Sequence, residues 1–393
     1  MQKGIRAIFD GCKACRGVMY ILTKLLQLRD ASLCQFNNQV LGLHTTLSTL
    51  RHLEMNILTP KQSGEFISKF AKNVFILPDG IKKLANEVAE GIKNKQICID
   101  GFSQHELHPQ KADESSVDWI FFVDTLNFCF WSANENTKWE VIWNGKTHTG
   151  YFALCASVRR ALQDGIPVTD PKFYSQVTSA ELDHILRSDN PNAKVPLLED
   201  RVTCLHQVGK ILMEKYMGSF VMCLKECNNS AQNLLQLIVQ EFPCFRDEAD
   251  FQGHRVAIYK RAQILIGDIW ACFRGEGLGH FSDIDTITMF ADYRVPQVLV
   301  HYGVLKYSDE LMELLKSDKL LENGSENEVE IRGCSIQAVD LVADEARKLL
   351  KSQGHSDLIV SSILIDHFLW DYRRKHAAML ELIPFHKTMS IFY

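Results

Sequence analysis

Asp292, Tyr293 and Arg294 put a carboxylate, a phenol and a guanidinium in consecutive positions. They lie between two apolar runs, Ile287-Thr-Met-Phe290 and Val298-Leu-Val300. Apolar flanks on both sides predict that the acid is drawn toward the interior, and Pro296 restrains the backbone of Val295. A carboxylate so placed costs stability unless it is paired or used. Two readings follow: an Asp292–Arg294 ion pair at a helix start, or an anion kept for chemistry on a developing positive charge.

Three further segments carry groups of the same kind. In Tyr259-Lys260-Arg261-Ala-Gln263, two cations precede the apolar Ile264-Leu-Ile266. On a helix Lys260 shares a face with Ile264, so its ammonium either points inward or snorkels to solvent. Asp124-Thr-Leu-Asn127-Phe-Cys-Phe-Trp131 embeds an acid and an amide among aromatic rings, the surroundings that a planar heterocycle needs. The alternative is a core segment whose polar groups are satisfied internally. Ser361-Ser-Ile-Leu-Ile-Asp366-His367-Phe-Leu-Trp370-Asp371 sets two acids five apart among aromatics, suited to a cation or to the donor edge of a base, or else to a solvated helix face. His105-Glu-Leu-His108 is an isolated histidine pair without a third ligand, so no metal site is expected.

These groups need a scaffold, and the patterning is mostly helical. Thr59 before Pro60 is a helix start, and Thr178-Ser-Ala-Glu181 has capping-box spacing. Residues 231–242 and 336–353 repeat apolar side chains at helical intervals, and Gly354 follows as a C-terminal stop. One hairpin is expected, Trp139–Trp143 and Lys146–Thr149 around Asn144-Gly145. Residues 117–131 fit strand or buried helix equally, residues 322–328 read as a polar loop, and Gly275-Glu-Gly277-Leu-Gly279 as another. The expected fold is mainly α, a single helical domain over residues 55–393 with a small β-hairpin. Residues 1–54 hold seven Lys or Arg against three acids and are expected to be a dispensable extension or a targeting segment.

Charge and cysteine usage narrow the function classes. With 43 basic and 48 acidic residues the net charge is −5, which does not favour a polynucleotide backbone as ligand. A small charged substrate suits it better. The twelve cysteines follow no repeated spacing and mostly sit in apolar runs, as buried thiols do in a reducing, cytoplasmic setting. Cys12-Lys-Ala-Cys15 has redox or zinc spacing but no second pair. Cys223 and Cys227 are expected on one buried helix face. No apolar stretch reaches membrane-spanning length.

Taken together, these segments resemble the queuosine salvage protein family, the queuosine 5′-phosphate N-glycosidases, over about residues 55–393. The likeness rests on Val123–Trp131, Tyr259–Leu265, Thr288–Arg294 with Pro296-Gln297, Val329–Cys334 and Leu369–Tyr372. It implies a helical fold similar to DNA glycosylases. It also implies hydrolysis of queuosine 5′-phosphate to queuine and ribose 5-phosphate, the queuine being reused in transfer-RNA modification. Carried over by position, Asp292 is the catalytic carboxylate and Lys260 the active-site lysine. Phe290, His105, Asp366 and Asp371 fall where the family contacts the base, with Ser362 and His367 beside them. Tyr259, Asp124 and Asn127 belong to the matched segments and join the binding candidates. Lys260 and Arg294 are the candidate phosphate donors. No cofactor and no metal are implied.

The residue types suit that reaction. Queuine is a 7-deazapurine and lacks the N7 that acid protonates in an ordinary purine. Cleavage therefore depends on stabilising an oxocarbenium-like sugar, which an anion such as Asp292 does. The secondary amine of queuine would pair with Asp366 or Asp371. Two other classes stay in view. A DNA-repair glycosylase would share a helical architecture and an Asp–Lys pair, but should show a basic face and a Leu-Pro-Gly-Ile-Gly type hairpin. A non-catalytic helical interaction protein would leave Asp292 structurally paired.

Overall fold

A computed structural model describes residues 57–132 and 134–393. The N-terminal segment 1–54 and its Cys12/Cys15 pair lie outside the described residues. The chain is mainly helical, with three small antiparallel strand pairs. In order, it runs α1 (Pro60–Phe70), β1 (Val74–Ile76), α2 (Pro78–Lys93), α3 (Glu114–Thr125), β2 (Glu140–Trp143), β3 (Lys146–Thr149) and α4 (Tyr151–Gln163). Then come α5 (Leu198–Lys215), α6 (Ala231–Glu241), β4 (Glu248–Phe251), β5 (His254–Ala257) and α7 (Lys260–Cys272). The last elements are α8 (Val295–His301), β6 (Leu305–Tyr307), α9 (Glu326–Ser352) and α10 (Ser362–Lys375), with shorter helices between. Among the described residues no helix is long and apolar enough to cross a membrane.

Local chemistry sets the helix starts as expected. Thr59 accepts from the Gln62 amide while the Gln62 side chain accepts from the Thr59 amide, and Pro60 opens α1. Thr178 and Glu181 form the same reciprocal pair. The predicted hairpin forms in register, Val141 opposite His148 and Trp143 opposite Lys146. Residues 117–131 resolve as helix up to Thr125 and irregular chain after it. The helix expected over 336–353 begins ten residues earlier, at Glu326, and consumes the second half of the predicted 322–328 loop. Acidic Glu326 and Glu328 in its first turn favour that start. Gly354 follows with φ +83°, the left-handed position that ends a helix. Two strand pairs were not expected: β1 with β6, and β4 with β5.

The long helix α9 is the spine against which α1 and α2 pack. Gly333 makes the crossing with α1 close, because a Cβ there would lie 2.4 Å from Ile67 Cδ1. The same core also gathers Phe121, Phe220, Phe242 and Phe245, all fully buried. Cys223 and Cys227 are both buried. Each fully buried aromatic side chain stabilises the fold by about 2–3 kcal/mol.

The departure from helix at Leu126 has an identifiable cause. Arg201 on α5 donates to the carbonyls of Leu126 (2.5 Å), Phe128 (2.6 Å) and Cys129 (3.1 Å). Arg261 on α7 donates to Thr125 O (2.5 Å) and to Cys244 O. Two buried guanidiniums thus satisfy carbonyls that a continued helix would have satisfied, and they hold this stretch open toward a cleft.

Candidate active site

The cleft has a volume of about 1330 Å³. Its walls come from residues 101–108, the chain after α3, the β3–α4 junction, α7, Phe290–Arg294, α10 and the C-terminal segment. Nine of the candidate residues line it: Asp292, Lys260, Asn127, Phe290, Asp366, His367, Asp371, Arg294 and His105.

Asp292 is half-buried. Its Oδ1 accepts from the backbone N–H groups of Arg294 and Val295, 2.8 Å each, so the carboxylate caps the start of α8. No ion pair joins it to Arg294. That guanidinium instead reaches Gln297 Oε1 (3.2 Å) and Glu381 Oε2 (3.4 Å) and stacks over Phe385 at 4.1 Å. The helix cap orients one carboxylate oxygen, and no hydrogen bond engages the other among the described residues.

Lys260 is the first residue of α7 and is buried. Tyr259 before it adopts a left-handed conformation, φ 51° and ψ 40°. The Lys260 N–H donates to Asp247 Oδ2 at 3.0 Å, which fixes where the helix begins. Its ammonium has one approach, Asn127 O at 3.5 Å. Burial lowers its pKa, and the surrounding Asp292, Asp124 and Asp366 carboxylates only partly restore it.

The base-binding candidates gather on α10. Asp366 is buried, and its Oδ1 accepts from Phe290 N–H at 3.0 Å. Burial, and then the Asp292 anion, push its pKa up to about 7. Phe290 seats its ring on Gly267, where a Cβ would lie 2.6 Å from its Cζ. Asp371 stands at the exposed rim, near Arg374, whose guanidinium covers Phe152 at 4.3 Å and Trp370 at 4.9 Å. His105 stacks on Phe152 at 3.8 Å with ring planes 6° apart. His108 Nδ1 donates to Phe102 O (2.8 Å), and burial pushes its pKa down to about 3, so it is neutral. Among the described residues no group of His, Cys, Asp or Glu is arranged to hold a metal ion.

Three candidates lie outside the lining. Asp124 is fully buried behind it, with Oδ1 accepting from Asn127 Nδ2 at 3.0 Å and Oδ2 without a partner. Tyr259 turns its hydroxyl away to Glu248 Oε1 at 2.7 Å. Ser362 donates to Asp340 Oδ1 at 2.8 Å. Asp268, two turns beyond Lys260 on α7, is an acid of the cleft that escaped sequence reasoning, as did Phe152 and Arg374 on its wall. An acid inside the apolar run Ile264–Ala271, four residues after Ile264, was the available signal.

Comparison with known proteins points to one family. The queuosine salvage protein family profile matches residues 107–393. A Bos taurus protein named queuosine 5′-phosphate N-glycosylase/hydrolase is 46% identical over 339 residues, covering 86% of this chain and 99% of its own. Its namesake in Mus musculus is 45% identical over 336 residues, covering 86% and 99%. A bacterial namesake from Sphaerobacter thermophilus is 35% identical over 307 residues, covering 78% and 90%. The chain belongs to the queuosine salvage protein family.

Proposed function

We propose that this protein hydrolyses the N-glycosidic bond of queuosine 5′-phosphate, releasing queuine and ribose 5-phosphate for reuse of the base in transfer-RNA modification. The observation that carries this reading is Asp292: a carboxylate oriented by two backbone donors, facing a cleft, and free of an ion pair with its neighbouring arginine. Placed at the anomeric carbon, that anion stabilises positive charge as the base departs. A structural ion pair would have been neutralised already, which also weighs against a non-catalytic role.

In this reading the base lies over Phe290, with Asp366 and Asp371 accepting from its donor edge and its amine, and His105 closing the aromatic wall. Arg294 and Lys260 supply positive charge on the ribose-phosphate side. The substrate is a small nucleotide, not a nucleic-acid polymer, and the helical arrangement is one similar to helical DNA glycosylases. A reducing, cytoplasmic setting suits the described thiols, which are all free and, except for Cys98, buried.

The test is direct. Incubated with queuosine 5′-phosphate, the protein is expected to release queuine detectable by mass spectrometry. It should do so more slowly, or not at all, from queuosine. No release from either compound would refute the reading. A chain lacking residues 1–54 is expected to keep turnover within about twofold, because the cleft is built from residues 57–393; loss of turnover there would show the segment to be structural.

A further inference from the structure

Asp268 and His367 are an acid and an imidazole in the cleft that have no role in the glycosidase reading above. Asp268 projects from α7, and it is buried. His367 projects from α10, half-buried, directly after Asp366. The two meet at 3.8 Å, His367 Nε2 to Asp268 Oδ1, and no closer polar contact holds the imidazole among the described residues. The ring lies 6.0 Å from that of Phe290, on which the base would rest.

A departing deazapurine poses a specific problem for this site. As the C1′–N bond breaks, its electron pair moves into the base, and negative charge spreads to the base's acceptor atoms. In the ionised form that pairs with the base's donors in the reading above, the carboxylates of Asp366 and Asp371 only accept hydrogen bonds, so they do nothing for that charge. Lys260, near Asn127 O and Asp292, serves the ribose-phosphate side in that reading, and Arg374 is stacked on two rings. His108 is neutral.

We propose that His367, set in place by Asp268, donates to the departing base and so activates the leaving group; this rests on the glycosidase reading above. In the balanced step, the glycosidic electron pair leaves with the base and the base takes one proton from the imidazolium. Water adds its hydroxide to C1′, and its remaining proton returns the imidazole to its starting state. His367 is the catalytic group of the pair and Asp268 its positioning residue. The groups facing the imidazole agree with a cationic ring. Asp268 on α7 and Asp366 and Asp371 on its own helix are acids, and His108 opposite is uncharged. Burial works against the imidazolium, but Asp268 and Asp366 outweigh it, so the His367 pKa is raised.

Two measurements on the full chain decide the matter. The first compares queuosine 5′-phosphate with 4-nitrophenyl riboside 5′-phosphate, whose leaving group needs no proton. His367→Gln is expected to slow base release by about 100-fold and nitrophenol release by less than about fivefold. Asp292→Asn should slow both alike. The second is the pH profile of kcat. Its alkaline limb is expected to move down by about one unit in Asp268→Asn, because an anion near the imidazolium is lost. Equal losses of His367→Gln on the two substrates, or an alkaline limb unmoved in Asp268→Asn, would overturn the pair while leaving the glycosidase reading intact. Wild-type protein that released no queuine would overturn that reading, and the pair with it.

Discussion

Two clusters of charge lie within a few residues of each other in this protein, and they are built on opposite rules. The first centres on Arg332 of α9. Its guanidinium donates to Asp247 through both terminal nitrogens (3.0 and 2.5 Å), to Glu328 (2.9 Å) and to Ala291 O (3.0 Å), and stacks over Tyr393 at 3.9 Å. All three charged groups are nearly inaccessible, and their bonds saturate one another. The second cluster holds Lys260, Asp292, Asp366, Asp268 and Asp124. There an ammonium has a single long contact, the Asp124 Oδ2 has none, and burial, together with the neighbouring Asp292 and Asp268 carboxylates, raises the pKa values of Asp366 and Asp124. Saturated charge makes scaffold, and unsaturated charge makes a site. The two are joined: Ala291 O, held by Arg332, precedes Asp292, and Asp247, held by Arg332, receives the Lys260 N–H. One buried cation therefore fixes the backbone beside both proposed catalytic groups.

The sharpest way to break this contrast is to neutralise one acid in the unsaturated cluster. Asp292→Asn keeps an oxygen to cap α8, so it should melt within a few degrees of the wild type. Turnover is expected to fall by about 1000-fold. A folded variant with near-normal release of queuine would remove Asp292 from catalysis. Arg332→Met tests the other side. It leaves Asp247 and Glu328 buried without a cation, which should destabilise the protein by about 3–5 kcal/mol in urea unfolding. A loss of under 1 kcal/mol would mean that the cluster is not scaffold.

Asp366 gives a smaller effect with a definite sign. Its carboxyl ionises near 3.8 when unfolded and near about 7 in the native protein, so the folded state holds the proton more tightly. This group's contribution to stability is therefore present at low pH and is lost as pH rises through that window. In the proposed reading, pairing with the base's donors needs the ionised form. The acid limb of kcat/KM should accordingly fall near pH 7 and disappear in Asp366→Asn, with a loss of about 10–100-fold above it. A variant that kept the same limb would assign it to another group.

How much of this was legible depends on how local the cause is. Thr59, Thr178 and the Asn144-Gly145 turn declared their elements because the stabilising bond is made within four residues. Asp292 declared itself as an acid between apolar runs. Its freedom from Arg294 did not, since that guanidinium is claimed by Glu381, 87 positions away. The β1–β6 pair joins three-residue strands more than 200 positions apart, and nothing in Val74–Ile76 alternates strongly enough to announce a partner. Asp124 and Asp268 each sit in apolar helical runs, and only folding shows that one is behind the cleft and the other in it.

Tyr259 is where the contrast can be sharpened most finely. Its place in a matched segment suggested a binding role, yet its side chain points into the scaffold and only its backbone serves the site. The left-handed turn at Tyr259 delivers the Lys260 N–H to Asp247 and starts α7 with the ammonium inside. Its hydroxyl merely ties to Glu248. Tyr259→Phe should therefore cost about 1–2 kcal/mol of stability and leave kcat and KM within about threefold. Tyr259→Gly should keep the turn, because glycine adopts positive φ without strain, and so preserve kcat while losing more stability through the missing ring. A large rise in KM with unchanged stability in Tyr259→Phe would instead put the phenol against the substrate, and would move this residue from the saturated region to the unsaturated one.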